Sequence, residues 1–454
     1  MAGPPSADSL LAAHRGRRYA FLLDAGDSPR PSYAGSDPIR QLVVTRDGRA
    51  LQWAGRSWQR VEGDDPIDAI GRFVDASEAD ARVACADWPD GARVPARTVG
   101  YLSYELGSYI ESVPTVATDA VGAPLAVLST YARVDAIDPQ HGTSTSIAFD
   151  DSRTRKSDQP VPAGAVPVAP TSGREPDEVE LRARYRHGFD RIAAAIRAGE
   201  IYQANLTRRL RRPFRDDPLA CYLRLRARQP VPCGAYLDLG TLQVLSNSPE
   251  SFLSIDGDRI ETRPIKGTRA RGASAADDRA AVSSLISDPK ELAEHVMIVD
   301  LERNDLGRVC VAGSVEVAEH ARVISLATLH HLESRVRGRL RARVRTVDVL
   351  RATFPGGSIT GAPKIQSMRI IAEVEPSARG IYTGAIGGFN GARRAELNIA
   401  IRTAVVAGAQ VTYGTGGGIV ADSRPDAEYE ETVTKSRAFL DSLTVQDNVG
   451  GRAG

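Results

Sequence analysis

Cysteine is scarce in this sequence of 454 residues, which has only four: Cys85, Cys221, Cys233 and Cys310. They lie far apart, and none forms a CxxC pair or has a histidine at metal-ligand spacing. This pattern argues against a disulfide framework and against a zinc site, and it predicts reduced thiols in a cytoplasmic protein.

The sequence also lacks a long apolar run and an excess of charge of either sign. No apolar stretch reaches the roughly 20 residues that cross a bilayer. Near the N-terminus a basic cluster follows the short apolar run, whereas a secretory signal has the opposite order. The net charge is +1, so we expect neither nucleic acid nor a membrane surface as a partner.

One segment rich in proline, serine and charged residues divides the chain. We predict a flexible linker or loop there, at residues 151–177. Residues 1–150 contain short alternating segments between Gly and Pro turns, which predict a mostly antiparallel N-terminal lobe. Residues 178–445 alternate strands with helices and form the second, catalytic lobe, and residues 446–454 are predicted to be a disordered tail.

Helical periodicity is clear in two stretches of the second lobe. Residues 178–199 place Tyr185 and Phe189 on one apolar face and end at a glycine. Residues 289–301 predict another helix, with Val296 on its apolar face.

Six segments of this lobe resemble, in order and approximate spacing, the successive signatures of the chorismate-utilising enzymes. They are GEIYQANLTRR (199–209), SPESFL (248–253), RPIKGTRARG (263–272), DPKELAEHVMIVDLERNDLGRVC (288–310), FPGGSITGAPKIQSM (354–368) and GTGGGIVADSRPDAEYEET (414–432). Six linked motifs are far more specific than any one of them. The resemblance implies an α+β fold with two large stacked antiparallel sheets and helices outside.

The substrate that this resemblance implies carries two carboxylates and an allylic hydroxyl that must leave. Its site therefore needs a cation, anion donors, an acid and a nucleophile. The resemblance assigns catalytic roles to Lys266, Glu250 and His331, and Mg²⁺ ligation to Glu294 and Glu431. It assigns substrate binding to Gly267, Thr268, Tyr382, Arg402, Gly416, Gly417, Gly418 and Lys435.

Lys266 is the residue on which this interpretation depends. A lysine amine attacks carbon only when it is deprotonated, and burial or a cationic neighbour lowers its pKa. We expect Arg263, Arg269 and Arg271 to be such neighbours. The alternative is a solvated loop lysine.

The other assigned residues have physical reasons and simpler alternatives. Arg402 can bind a carboxylate through two bonds, but it could also form an internal salt bridge. Glycines 416–418 let backbone amides approach an anion, although a tight turn after a strand would also need them. Lys435 lies one helical turn after Glu431, so an i,i+4 ion pair is an equal alternative.

Structural alternatives exist for the remaining side chains as well. Glu294 and Glu431 could be solvated helix glutamates, Tyr382 a packed core tyrosine and His331 a satisfied core histidine. Glu250 could pair with a nearby arginine at a strand end.

The glycine-rich turn at residues 354–364 predicts the entry to a helix, with Ser358 or Thr360 near its cap. We favour a mainly structural role for this turn, in shaping the wall of the pocket.

Two positions indicate the reaction within the family. Lys266 stands where anthranilate-forming members have alanine, so the chain resembles the branch that forms 4-amino-4-deoxychorismate, the precursor of 4-aminobenzoate and folate. Gln203 stands where water-using members have lysine, and an amide cannot act as that base. Anthranilate or aminodeoxyisochorismate formation, and a non-catalytic binding protein of the same fold, are the alternatives.

Ammonia is the nitrogen source that this branch requires. None of the four cysteines lies in the glycine-rich nucleophile turn of a class I amidotransferase. We therefore expect a separate glutamine amidotransferase subunit as the partner.

Overall fold

The computed structural model describes residues 6–53, 55, 57–63, 65–78, 96–116, 121–139, 142–149 and 176–443. The expected linker, except for its last two residues, lies outside the described residues, as do the expected tail and Cys85. The other three cysteines are free thiols, as predicted. No helix in the described part of the chain is long and apolar enough to cross a membrane.

Two antiparallel sheets form the centre of the protein. The first contains β1 (Phe21–Asp24), β2 (Ser32–Gly35), β8 (Arg133–Asp138), β9 (Thr143–Ala148), β10 (Gln203–Pro213), β11 (Cys233–Asp238), β12 (Leu242–Ser248), β18 (Gly361–Ala362), β21 (Thr403–Ala407) and β22 (Gln410–Ile419). The second contains β3 (Arg40–Val44), β4 (Ala50–Trp53), β5 (Trp58–Arg60), β6 (Thr98–Leu102), β7 (Ala126–Thr130), β13 (Ser251–Asp256), β14 (Arg259–Arg263), β15 (Ile265–Ala270), β16 (Glu316–Ser325), β17 (Leu329–Arg339), β19 (Ala385–Phe389) and β20 (Arg394–Ile399).

Helices cover the outer faces of these sheets. In the described residues they are α1 (Ala7–Ala12), α2 (Pro66–Asp75), α3 (Glu178–Arg197), α4 (Pro218–Arg228), α5 (Ala275–Ile286), α6 (Pro289–Gly307), α7 (Thr346–Thr353), α8 (Lys364–Val374) and α9 (Pro425–Leu443), with 3₁₀ turns at Tyr104–Tyr109 and Gly357–Ile359.

Both sequence halves contribute strands to both sheets. The first sheet runs β18-β10-β22-β21-β12-β11-β1-β2-β8-β9, so β1 of the first half pairs with β11 of the second. The second runs β15-β17-β14-β13-β20-β19-β6-β7-β3-β4-β5, with β16 also on β17, and here β6 pairs with β19. The expected α+β fold of two large antiparallel sheets is thus confirmed.

The apolar core lies in layers between these elements. One buried cluster joins the inner faces of the two sheets, with Phe21 and Leu237 from the first and Tyr101 and Val127 from the second. Separate clusters lie between each sheet and its helices. Successive side chains of a strand point to opposite faces of its sheet. Because both faces of each sheet carry apolar side chains, one face packs on the other sheet and the opposite face packs on helices.

The two predicted helices are both present, as α3 and α6. Helix α6 is longer than predicted, and its buried face differs from the predicted one. α3 buries Tyr185 and Phe189 as expected, and Asp177 caps its start by accepting a hydrogen bond from the Glu180 amide. α6 continues to Gly307, and Val296 is 51% exposed, so its placement on the apolar face was wrong. The buried face of α6 contains acidic and histidine side chains, which apolar periodicity does not detect.

Candidate active site

All thirteen residues assigned from the sequence line one cavity of about 660 Å³. Strands β15, β17 and β22 and helices α6 and α9 form its walls, together with the 3₁₀ turn at Gly357–Ile359. The residues are Lys266, Gly267, Thr268, Glu250, His331, Tyr382, Arg402, Gly416, Gly417, Gly418, Lys435, Glu294 and Glu431. Segments up to 185 residues apart in sequence thus meet at one site.

Lys266 lies on β15 at a break in the strand. The register against β17 shifts between Lys266 and Thr268, and Gly267 between them has φ +71°. A Cβ at that glycine would lie 2.9 Å from Leu285 Cδ1, so glycine is required by conformation and by space. The Lys266 ammonium donates to the Ser358 carbonyl at 3.3 Å, and the solvated loop alternative does not hold.

The three arginines expected as cationic neighbours of Lys266 are all in ion pairs, although Arg269 lines the same cavity. Each of the three arginines pairs with carboxylates of its own, Arg263 with Glu261, Arg269 with Asp288 and Glu291, and Arg271 with Asp278. The positive charge of Lys266 acts on carboxyl groups of the cavity, since it favours the ionised forms of Glu250, Glu294 and Glu431. For Glu250 and Glu294 burial outweighs this effect. Sequence proximity placed the arginines in the right segment. It did not show their carboxylate partners, because successive side chains of a strand point to opposite faces of the sheet.

Glu250 immediately precedes β13 and is only 5% exposed. Burial raises the pKa of this carboxyl from 4.5 to about 7, against the opposing effects of the Ser358 side chain, Lys266 and the Ile265 backbone. The alternative of a strand-end glutamate paired with an arginine does not hold. A carboxyl group that keeps its proton near neutral pH can protonate a leaving hydroxyl group.

Ser358 contributes two of the contacts that join these groups. The sequence placed Ser358 or Thr360 at a helix cap, and this prediction was wrong, because α8 begins after Pro363 without a side-chain cap. Thr360 donates to the Gly356 carbonyl instead. The Ser358 carbonyl accepts a hydrogen bond from Lys266, and the Ser358 side chain lies beside Glu250 and lowers the pKa of that carboxyl.

His331 on β17 has one satisfied and one free ring nitrogen. Nδ1 lies 3.1 Å from the Gly267 carbonyl, so it carries the proton, and 3.0 Å from the Thr268 hydroxyl. Nε2 is buried and has no hydrogen-bond partner among the described residues. Burial and then Arg402 lower the pKa of His331 to about 4, which leaves a neutral imidazole with an acceptor at Nε2.

Arg402 is a cation without a carboxylate partner in the described part of the chain. Its Nη1 donates to Gln229 Oε1 at 3.2 Å, and burial lowers the pKa of the guanidinium while Tyr413 opposes this. The backbone of Arg402 is left-handed, with φ +49°, a conformation that costs about 1–3 kcal/mol in a non-glycine residue. The arrangement leaves the fork available to an anion, so neither a surface arginine nor an internal salt bridge describes it.

The glycine run lies inside β22 and not in a turn after it, which corrects the turn alternative. Pairing of β22 with β21 ends at Tyr413, so beyond it one edge of β22 is free of that strand. The Gly416 carbonyl accepts from Lys435 Nζ at 3.0 Å on the edge away from β10, and its amide faces the same way, as does that of Gly418. These amides can donate to an anion in the cavity.

Tyr382 packs against the same strand. A Cβ at Gly414 would lie 2.2 Å from Tyr382 Cδ1, so the absence of a side chain there admits the aromatic ring. Tyr382 is 8% exposed, and it is therefore both a packed tyrosine and part of the cavity wall.

Glu294 and Glu431 enter the cavity from two helices and are held by lysines. Lys290 lies 3.8 Å from Glu294, and Lys435 lies 2.6 Å from Glu431, which is the i,i+4 ion pair considered from the sequence. Burial raises the pKa of Glu294, whereas for Glu431 the charge and hydrogen bond of Lys435 outweigh burial and lower it. Two carboxylates that face one cavity, each paired with a lysine ammonium group, have the oxygen donors that Mg²⁺ prefers.

Sequence reasoning missed two further carboxylates and one lysine of this wall. Glu291 and Glu428 line the cavity one turn before the two proposed ligands, and Lys290 lies 3.5 Å from Glu428. The repeated E-x-x-E spacing on both helices was a signal that could have identified them. No three His, Cys, Asp or Glu side chains in the described ranges converge as a group that could hold a metal ion.

Gln203 lies behind the cavity wall. It is fully buried at the start of β10, and a Cβ at Gly418 would lie 2.6 Å from its Nε2. Gln203 therefore contacts the glycine strand and not the cavity directly. Gln229 and Tyr413, which approach Arg402, were not identified from the sequence because neither lies in a recognisable motif.

Comparisons with known proteins agree with this geometry. The sequence profile of a family described as chorismate binding enzyme matches residues 21–441. Aminodeoxychorismate synthase component 1 of Bacillus subtilis is 34% identical over 445 residues, covering 95% of this chain and 93% of that protein. An anthranilate synthase component 1 of Haloarcula marismortui is 38% identical over 403 residues, covering 82% of each. The crystal structure of anthranilate synthase component I from Streptococcus pneumoniae superposes with a TM-score of 0.75 at 26% identity, covering 93% of this chain and 92% of that one.

Proposed function

The chain belongs to the chorismate binding enzyme family, and from this premise we propose that it is component I of an aminodeoxychorismate synthase. It would convert chorismate and ammonia to 4-amino-4-deoxychorismate. Relatives that form either aminated product are similarly close, so the choice rests on the site.

One observation supports the proposal above the others: the amine of Lys266 and the carboxyl of Glu250 both contact Ser358 within the cavity. The proposed nucleophile thus lies at the same wall as a carboxyl group whose pKa burial raises to about 7. A nucleophile and an acid close to each other suit a displacement in which one bond forms as another breaks.

The proposed reaction is two successive allylic displacements. The neutral Lys266 amine attacks ring C2, the double bonds shift, and the C4–O bond breaks as Glu250 gives its proton to the departing hydroxyl. Ammonia then attacks C4, the double bonds shift back, and the C2–N bond to Lys266 breaks. Lysine thereby directs nitrogen to C4.

Substrate binding in this proposal uses the groups that lack partners. The Arg402 fork would bind one carboxylate of the substrate, assisted by the free amides of Gly416 and Gly418. Neutral His331 would accept a hydrogen bond at Nε2 from the substrate hydroxyl.

Magnesium is proposed at Glu294 and Glu431, where it would neutralise a substrate carboxylate when bound. The two glutamates would exchange their lysine partners for the ion. A separate glutamine amidotransferase subunit is proposed as the source of ammonia.

The test is to incubate the protein with chorismate, Mg²⁺ and ammonium and to identify the product by mass and chromatography. We expect 4-amino-4-deoxychorismate with its pyruvyl group retained. Anthranilate would assign the protein to the ortho-aminating branch, and isochorismate would show that water is the nucleophile.

A further inference from the structure

Helix α6 carries two buried acidic residues that the proposed reaction does not use. Glu302 and Asp305 are 3% and 4% exposed, and both face the segment that links α7 to α8. Asp305 hydrogen-bonds Lys364, which also donates to the Thr353 carbonyl at 2.8 Å. Lys364, which pairs with Asp305, thus joins the two ends of this segment.

Glu302 binds the middle of the same segment. Its Oε1 accepts the Gly357 amide at 3.0 Å. A Cβ at Gly357 would lie 2.7 Å from Leu301 Cδ2 and 3.0 Å from Glu302 Oε1, so the turn rests directly on α6. This contact determines where the next residue of the turn, Ser358, lies.

Ser358 is the residue that contacts both proposed reacting groups. Its carbonyl accepts from Lys266 Nζ at 3.3 Å, and its side chain lies beside Glu250 and lowers the pKa of that carboxyl. A displacement of Ser358 would therefore move the nucleophile and the acid relative to each other, and small misplacements of reacting groups slow catalysis strongly.

We propose that Glu302 is a positioning residue, which holds Ser358 through the Gly357 amide and thereby sets Lys266 against Glu250. The roles of Lys266 and Glu250 in this inference rest on the proposed function. Glu302 itself touches neither group in the hydrogen bonds of the described residues.

Because Glu302 is uncharged when protonated, Glu302→Gln is a close control for Glu302→Met. Burial, with Asp305 adding to it and Lys364 opposing it, raises the pKa of Glu302 well above that of an ordinary glutamate and favours its protonated form. Glutamine reproduces the shape and the charge of this uncharged acceptor. Methionine has a similar length and offers the amide no comparable acceptor.

The experiment compares Glu302→Met and Glu302→Gln with Asp300→Asn, an exposed position on the same helix that pairs only with Arg303. Chorismate consumption is measured, so that the identity of the product does not enter. We expect Glu302→Met to lower kcat by about tenfold to a hundredfold with KM within about threefold, because the carboxylate-binding groups are unaltered. Glu302→Gln is expected within about threefold of the wild-type kcat, and Asp300→Asn to match wild type.

A second measurement does not depend on turnover. An amine-reactive acetylating reagent followed by mass spectrometry gives the modification rate of Lys266, which should change in Glu302→Met and not in Glu302→Gln. Ser358→Ala should lower kcat, and the double variant Glu302→Met/Ser358→Ala should lose less than the product of the single losses.

The inference is overturned if Glu302→Met keeps the wild-type kcat and the wild-type Lys266 modification rate. It is also overturned if both Glu302 variants show a lower kcat, an altered KM and a lower melting temperature to the same extent. That pattern indicates a structural role only. A wild-type protein that consumes chorismate but yields another product would contradict the proposed function and leave the Glu302 comparison intact. If the wild type consumes no chorismate, the Lys266 modification rates alone decide the inference.

Discussion

Burial acts in opposite directions on the pKa of Glu250 and Arg402, and both effects favour the uncharged form. The pKa of Glu250 is raised and that of Arg402 is lowered, because the cavity solvates charge poorly. A dianionic substrate would compensate Arg402 directly, whereas Glu250 can keep its proton until a leaving group takes it. The same environment thus prepares one residue for binding and the other for acid catalysis.

The raised pKa of Glu250 predicts a pH-dependent effect on stability. Between pH 4.5 and about 7 the unfolded chain has released a proton that the folded protein still holds, so rising pH favours unfolding. Relative to Glu250→Gln, the wild type should lose up to about 3 kcal/mol of unfolding free energy as pH rises from 4.5 to 7. Urea unfolding of both proteins at pH 4.5, 6 and 8 measures this, and a constant difference across that range would contradict the buried carboxyl.

Lys266 is tested by removing its amine. Lys266→Ala should lower formation of 4-amino-4-deoxychorismate by about a hundredfold or more, because the covalent route is lost, while the KM for chorismate changes far less. Ammonia could then reach C2, giving some ortho-aminated product. With ammonia withheld, mass spectrometry of the wild-type peptide that holds Lys266 should show a chorismate-derived adduct.

Lys266→Gln is the matched control for the contact with Ser358. Glutamine can still donate to the Ser358 carbonyl but cannot attack carbon, so it should be as inactive as alanine. Full para-specific activity in either variant would leave the lysine without a covalent role.

At the scale of elements, α6 and α9 act together although 117 residues separate their ends. Each brings an E-x-x-E pair to the cavity, and lysines on the same helices pair with Glu294, Glu428 and Glu431. The inner face of α6 is polar over most of its length, with Glu302 and Asp305 following the cavity residues. A helix of this kind carries the site and cannot be oriented from apolar periodicity alone.

The metal proposal is tested on these two helices. Glu294→Gln and Glu431→Gln should each remove most Mg²⁺-dependent activity with little loss of folding, because an amide replaces a charged ligand. Glu430→Gln is the control, since Glu430 lies on α9 but pairs with Arg182 at the surface. Activity is measured against Mg²⁺ concentration, and wild-type activity of either variant at limiting Mg²⁺ would refute the assignment.

At the scale of the whole molecule, the two sequence halves cannot be treated as independent units. Strand β1 lies between β11 and β2, and β6 lies between β19 and β7, so each sheet depends on both halves. Removing either half would expose long strand edges and the core between the sheets. The cavity itself is built from residues after position 248 together with Asn205 of β10 and Gln229, and the first half supports it through the sheets.

The supply of ammonia is also a property of the whole chain. The isolated protein should be inactive with glutamine and active with ammonium at alkaline pH, where more free NH₃ exists, because the sequence has no amidotransferase cysteine motif. Product formation with each nitrogen source, at equal chorismate and Mg²⁺, measures this. Turnover of glutamine by the purified chain would disprove the need for a second subunit.

The sequence by itself determined which chemistry the protein could hold. Lys266, Glu250 and the glycine run lie in motifs whose residue types and order indicated the family, and the structure brings them into one cavity with Arg402. The strands and helices of strong period, such as α3, were also predictable, because their apolar pattern is local.

Only the tertiary structure decided which groups pair with one another. Arg269 next to Lys266 binds Asp288 and Glu291 at the start of α6, and the Ser358 carbonyl accepts from Lys266, which lies 92 residues earlier. The glycine run belongs to a strand. Buried hydrogen bonds to other segments fix the orientation of α6 together with its buried apolar residues Ile298, Val299 and Leu306. Charge pairing and burial depend on which segments meet in space, and that information is distributed over the whole chain and not held in any one motif.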